Sequence, residues 1–344
     1  MDNATCCGSK PTCPKFNRRT ALSGAVGIAA AAMGYRLVRQ YFPTKSSVFI
    51  ARNQSYDGPL VQTITAGLDS VGFDKEWIRG RKVLLKPNLV EPNSSFPQIT
   101  THPSVVLAAA DVFRRWGAEV TVGEGPGHVR DTEMALVESS MGESLAGERL
   151  PFVDLNYDDL HVVPNLGGCS RLQDFTFPRA VVEADLIVSI PKLKTHHWMG
   201  MTGSMKNLYG TLPGTVYGWP KNVLHYAGIP NTVVDIFASV PRSVAIVDGI
   251  ICMEGDGPIL GTAKPMGLLG IGLSLPAVDA TLARIMGLDP YKVPYLALAD
   301  DRVVPLAERA IAQRGEPWKA VAKPFKILDV PYLQEMRAVP GGDA

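Results

Sequence analysis

The sequence predicts an α/β protein built on a mainly parallel, Rossmann-like sheet with flanking helices. Three observations carry the prediction. Apolar runs and amphipathic stretches alternate in the order strand, helix, strand, helix, strand between residues 47 and 122, the pattern of βαβ units. Several of those runs end in loops that concentrate Lys, His, Gly and Asp, as strands of open α/β sheets do where a ligand is bound. At 344 residues, 46% apolar and 19% charged, the chain can bury a sizeable core. One large domain or two lobes with a cleft between them both satisfy that length.

The elements follow in order. Ser47–Ala51 is a β-type run, and residues 60–71 place Leu60, Val61, Ile64, Leu68 and Val71 at helical spacing. Lys82–Leu85 is a strand that closes on Lys86-Pro87-Asn88. His102-Pro103-Ser104 opens a helix to Trp116, ended by Gly117. Glu119–Val122 is a strand followed by a Gly-rich turn. Residues 131–180 are less regular, with a helical stretch near 134–141 and short strands at 152–155, 161–164 and 175–177. Leu186–Ile190 is a buried strand leading into an irregular, cation-rich loop. A helix over 229–240, strands over 243–247 and 266–273, and a helix over 277–286 complete the body. A Pro-rich tail follows, with one helix over 304–313. These elements divide the chain into an α/β body over 47–288, with lobes over 47–130 and 181–288, and a C-terminal extension over 289–344.

Residues 1–40 read as an address. Arg18-Arg19 precede an Ala/Gly-rich apolar run from Ala21 to Tyr35, short for a spanning helix and right for a signal. The pair resembles a twin-arginine export signal, although Ala21 stands where such signals prefer a bulky apolar residue. The expected partner is the twin-arginine machinery, with the mature chain periplasmic or held by an uncleaved anchor facing outward. That route carries folded, often cofactor-loaded proteins. Arg36 and Arg39 lie on the far side of the run.

The formal net charge is +1, but residues 1–40 hold six Lys/Arg and one Asp, so the remainder is mildly acidic. No basic stripe marks a nucleic-acid surface. Five cysteines, three of them in the N-terminal tail (Cys6, Cys7, Cys13), fit neither a disulfide framework nor an iron–sulfur or zinc spacing.

Four loops after strands carry polar chemistry and are expected at one rim of the sheet. The richest is Ser189–Gly214, with Lys192, Lys194, Lys206, His196 and His197. Lysines there can clamp a carboxylate or phosphate, and a buried one can become a base or nucleophile. Lys206, next to Asn207, is the best candidate for the central cation. His196 and His197 are acid/base candidates, of which strand alternation allows one to point inward. Lys86 and Asn88 join Lys192, Lys194 and Asn207 as substrate-binding candidates. The turn Gly123–His128 is either a phosphate cradle, through Gly125 and Gly127, or a tight turn; Gly203 and Ser204 offer a second Gly/Ser cradle. His128, His225, Asp248, Glu254 and Asp256 are metal-ligand candidates, with turn chemistry as the alternative for the last three.

Five ordered motifs resemble the family called domain of unknown function 362: KPNLV (Lys86–Val90), THPSVV (Thr101–Val106), SIPKLKTH (Ser189–His196), MTGSMKNLYG (Met201–Gly210) and VDGIICMEGDGP (Val247–Pro258). Many members carry an iron–sulfur segment, which would imply a cluster or a separate redox partner; this chain has no CxxCxxC run. A remoter resemblance is to the lactate racemase catalytic family, which binds a nickel pincer nucleotide. That likeness implies Lys206 as a cofactor-attachment position and His225 as a metal ligand. The expectation is an exported enzyme acting on a small anion with a metal or nucleotide-type cofactor, by acid–base or redox chemistry. A non-catalytic anion- or metal-binding protein is the alternative.

Overall fold

In the computed structural model, residues 45–127, 131–302 and 306–338 are described. The Arg18-Arg19 pair, the tail cysteines and His128 lie outside them. The described residues belong to one compact unit.

Ten strands share one sheet. Its path runs β12 (Ile311–Gly315), β1 (Ser46–Ala51), β11 (Thr262–Gly272), β10 (Ser243–Glu254), β7 (Leu186–Ile190), β2 (Lys82–Pro87), β3 (Glu119–Glu124) and β4 (Phe152–Asp154). Pairs are parallel from β10 to β4 and between β12 and β1. β11 alone on this path is reversed, pairing antiparallel with both β1 and β10. Off the path, β8 (Lys192–His196) pairs with β10 and with β9 (Gly200–Thr202). β5 (Leu160–Pro164) and β6 (Asp174–Pro178) form a separate antiparallel ribbon. The expected α/β class and mainly parallel sheet are therefore present.

Strand alternation divides the core into two layers. On one face, Val83, Leu85, Leu186, Val188, Val244 and Ile246 pack with the helices Leu60–Ser70 and Pro103–Arg115. On the other, Leu84, Ile187, Ala245 and Val247 pack with Ile229–Ser239 and Leu275–Ile285. The Leu275–Ile285 helix is buried along its whole length, which explains its apolar sequence.

Three sequence expectations need correction. The stretch after Ile190 is not irregular: β8 and β9 form a hairpin, followed by the short helix Ser204–Asn207 and a 3₁₀ turn Leu208–Thr211. Asp248–Glu254 is not a loop but the second half of β10, because the apolar Ile250–Met253 run keeps pairing with β11 past an irregularity at Gly249/Ile251. The expected helix over 304–313 is instead the helix Pro294–Arg302, a 3₁₀ turn Glu308–Ala310 and the edge strand β12. Among the described residues no helix is long and apolar enough to cross a membrane.

Candidate functional site

At the carboxyl ends of β2 and β3, beside the β8–β9 hairpin, lies a cavity of about 300 Å³. Among the described residues four lysines line it, Lys86, Lys194, Lys206 and Lys221, with His196, His197 and His225 and a single carboxylate, Glu124. Trp198, Tyr209, Pro220, Pro258 and Ile259 supply apolar wall.

The lysines differ in what they already hold. An ammonium has three N–H donors. Lys86, the last side chain of β2 on the Leu84 face, donates to the Pro87 carbonyl (2.6 Å), to Asn207 Oδ1 (3.3 Å) and to Glu124. Glu124 also accepts from the Gly125 N–H at 3.1 Å. Lys221 donates to the carbonyls of Gly125 (2.9 Å), Tyr209 (2.9 Å) and Leu212 (2.5 Å). Lys194 donates to the carbonyls of Ile99 (2.7 Å) and Pro258 (3.1 Å), leaving one donor. Lys206 is different: among the described residues no oxygen accepts from its Nζ, which lies 5.0 Å from the centroid of the Tyr209 ring.

Crowding cations out of water favours the neutral amine. Burial pushes Lys206 down to about 8, with Lys86 adding repulsion. Burial pushes Lys221 down to about 7, with Glu124 opposing. Lys194 lies well below the ordinary lysine value through burial and the charges of Lys206 and Lys192.

His196 is buried and held well below the ordinary imidazole value, first by burial and then by Lys206. The Trp198 N–H donates to its Nδ1 at 3.1 Å, which puts the ring proton on Nε2. His196 is thus fixed as a donor rather than a base. His197 also reaches the cavity, which corrects the expectation from strict alternation. β8 ends at His196, so the next residue is free of the pleat. Its N–H donates to the Gly257 carbonyl at 2.8 Å, and its Nδ1 lies 3.8 Å from Asp256. His225 sits at Trp198 and Tyr209, ring centroids 5.6 and 6.1 Å away.

Asn207 is the joint between strands and loop. Its Nδ2 donates to the Lys86 carbonyl (2.9 Å) and Ser189 Oγ (3.1 Å), and its Oδ1 accepts from Lys86 and Asn88. Asn88 Oδ1 and Thr202 Oγ1 are buried at the cavity with no partner among the described residues. Such orphans are rare in folded proteins.

Several expected site residues serve the scaffold instead. Gly203 and Ser204 are not a cofactor cradle: Asp279, from the buried helix, accepts from the Ser204 N–H (2.6 Å), Ser204 Oγ (2.7 Å) and the Met205 N–H (3.0 Å). A Cβ on Gly203 would overlap that carboxylate. Lys192 and Asp248 do not line the cavity. Asp248 follows Val244 and Ile246 onto the opposite face of the sheet, where it pairs with Lys192 (2.6 Å) and accepts from Tyr56 (3.1 Å) and the His102 N–H (3.0 Å). Glu254 pairs with Lys264 at 2.7 Å. His225, Asp248, Glu254 and Asp256 therefore form no common ligand set, and among the described residues no three His, Cys, Asp or Glu side chains are grouped to hold a metal ion. Gly125 and Gly127 do line the cavity, Gly125 packed so closely on Asn156 and Gly210 that a Cβ would lie 2.9 and 3.1 Å from their oxygens.

Sequence reading missed Lys221, which sits in a left-handed turn (φ 67°) after Trp219-Pro220 with no periodic signal around it. It also missed Asp279, whose one available clue was a lone acid inside an apolar helical run.

The fold and this rim define an α/β protein with a cationic crevice outside its parallel strands. The chain belongs to the family described as Domain of unknown function (DUF362), whose model matches residues 83–284. It is 28% identical over 298 residues to "Thylakoid-associated protein sll1697" of Synechocystis sp., covering 83% of this chain and 88% of that protein. Among solved structures it is similar to the lactate racemase apoprotein of Thermoanaerobacterium thermosaccharolyticum, with a TM-score of 0.45 and 14% identity. That match covers 72% of this chain and 58% of that one.

Proposed function

We propose that this chain is an enzyme acting on a small organic anion held in the lysine-lined cavity, with the amine of Lys206 as its reactive group. The observation that carries the reading is the donor count. Lys86 and Lys221 spend every N–H on the protein, whereas Lys206 spends none on any described oxygen. Glu124 offsets the charge of Lys86 and three carbonyls occupy Lys221, so Lys206 is the cation left for the ligand. The spare donor of Lys194, the Thr202 hydroxyl and His196 Nε2–H complete the set that would hold an anion. Low-dielectric surroundings strengthen each of these contacts.

The residues fit an anionic organic group better than a resident metal, since the lysines and asparagines of the lining outnumber its one described carboxylate. The test is binding of a panel of small carboxylates and phosphates to purified protein by calorimetry. Lys206→Ala should lose binding while keeping its circular dichroism spectrum; wild-type affinity in that variant would remove Lys206 from the site.

Export by the twin-arginine route is part of the same reading. Arg18-Arg19 and the run to Tyr35 support it, and the similar cyanobacterial protein's description as thylakoid-associated is compatible with it. Residues 1–40 fused to a folded reporter should carry it out of the cytoplasm, and Arg18→Lys/Arg19→Lys should keep it inside.

A further inference from the structure

We infer that Lys206 is a covalent catalyst, its amine condensing with the carbonyl carbon of a small anionic carbonyl compound, a 2-oxo acid or an acidic aldehyde, to form an imine. The inference rests on the reading of the cavity as an anion site and assigns the class of substrate and the bond made.

Four features of the cavity point the same way. No hydrogen bond to a described oxygen is lost when Lys206 gives up its proton; what weakens is its contact with the Tyr209 ring. The single carboxylate in the lining, Glu124, is already paired with Lys86, so it does not hold that proton in place. His196, in the cavity wall, presents Nε2–H, a donor suited to an oxygen that gains charge as the carbonyl is attacked. Trp198, Pro258 and Ile259 wall the same space and would limit the access of water to an imine.

The step balances without an oxidant or reductant. The amine lone pair forms the C–N bond while the carbonyl π pair moves onto oxygen. Both protons of the amine end on that oxygen, which leaves as water as the C=N bond closes. Hydrolysis by the reverse path returns the free lysine. The iminium form withdraws electrons from the neighbouring carbon and acidifies its C–H bond, or weakens its bond to a carboxylate.

The amine is also disposed to react. With Lys206 at about 8, its free-base fraction at pH 7 is on the order of 300-fold that of an ordinary lysine. Lower basicity returns part of that gain as lower nucleophilicity, by the same trade seen for thiols, and leaves roughly twentyfold.

The experiment uses the full chain, glyoxylate as the smallest anionic aldehyde, cyanoborohydride to trap the imine, and peptide mapping by mass spectrometry. Oxalate, which is anionic but cannot form an imine, is titrated in parallel by calorimetry. The expected result is an adduct on Lys206 that at pH 7 accumulates about twentyfold faster than on the surface Lys75, quickens as pH rises through about 8, and is suppressed by oxalate. Equal labelling of Lys206 and Lys75 overturns the imine. If oxalate nevertheless binds, and binds less well to Lys206→Ala, the anion site stands and only the covalent step is lost. If oxalate does not bind and Lys206 does not label, both readings fall.

Discussion

Gly210 lies directly against the buried Lys86–Glu124 ion pair, with no room for a side chain: a Cβ at this position would overlap both Glu124 Oε1 and Lys86 Nζ. The pair thus depends on a residue neither sequence neighbour nor strand partner to it. Gly210→Ala should force the two charges apart. Deleting one partner of a buried pair costs about 3–5 kcal/mol, and displacing the two flexible ends should cost less. A loss of stability below that size in urea unfolding, with weakened anion binding, is the expected outcome; an unfolding midpoint equal to wild type would show that the pair shifts without cost.

Asp279 gives the hairpin loop a pH-dependent anchor. Burial pushes its carboxyl up to about 6 from 3.8, against the donors from Ser204, Met205 and Tyr295. A folded state that holds this proton more tightly than the unfolded chain gains stability at low pH. The term is complete below about pH 4 and is lost as pH rises through about 6, a span of roughly 3 kcal/mol. The stability difference between wild type and Asp279→Asn, followed by denaturant titration, should change by about that amount over this window. A constant difference would place the Asp279 titration elsewhere.

Anion binding should share the protonation of Lys206. The ammonium binds the anion more tightly than the free amine, beside which Lys194 and His196 still hold it, so affinity should fall as pH rises through about 8. Calorimetry of oxalate binding from neutral pH upward measures this. Lys206→Arg, charged throughout, should bind without the break; a break that survives in Lys206→Arg would assign it to another group.

Lys192 and Asp248 should behave as structure rather than site. Both side chains are fully buried, and each is the other's counter-ion on the face away from the cavity. Lys192→Met alone leaves Asp248 buried and unpaired, at a cost of about 3–5 kcal/mol. Lys192→Met with Asp248→Leu should recover much of that stability and leave oxalate affinity within about twofold of wild type. A large loss of affinity in the double variant would return Lys192 to the binding site.

Much of the fold was legible because its cues are local. Leu186–Ile190 and Val83–Leu85 read as buried strands from apolar runs alone, and His102-Pro103-Ser104 marks a helix start through its cap and proline. Lys86, Lys194, Lys206 and Asn207 stood out as polar residues just after such strands, and all four line the cavity. What escaped depends on pairing across long separations. Nothing near Asp248 reveals that it continues a strand and faces Tyr56, 192 positions away. Nothing near Lys221 reveals that its ammonium will be spent on three carbonyls from Gly125, Tyr209 and Leu212. The remoteness of partners, rather than weak propensity, hid these roles.

Glu124 offsets Lys86, and Lys221 keeps its protons bonded to carbonyl oxygens, so the influence of Lys221 on a bound anion is exerted through the field and not by touch. Charges embedded this way are shielded by dissolved ions far less than lysines on a surface. An anion held here should therefore stay bound as ionic strength rises, and a host that meets swings in salinity would find this crevice indifferent to them.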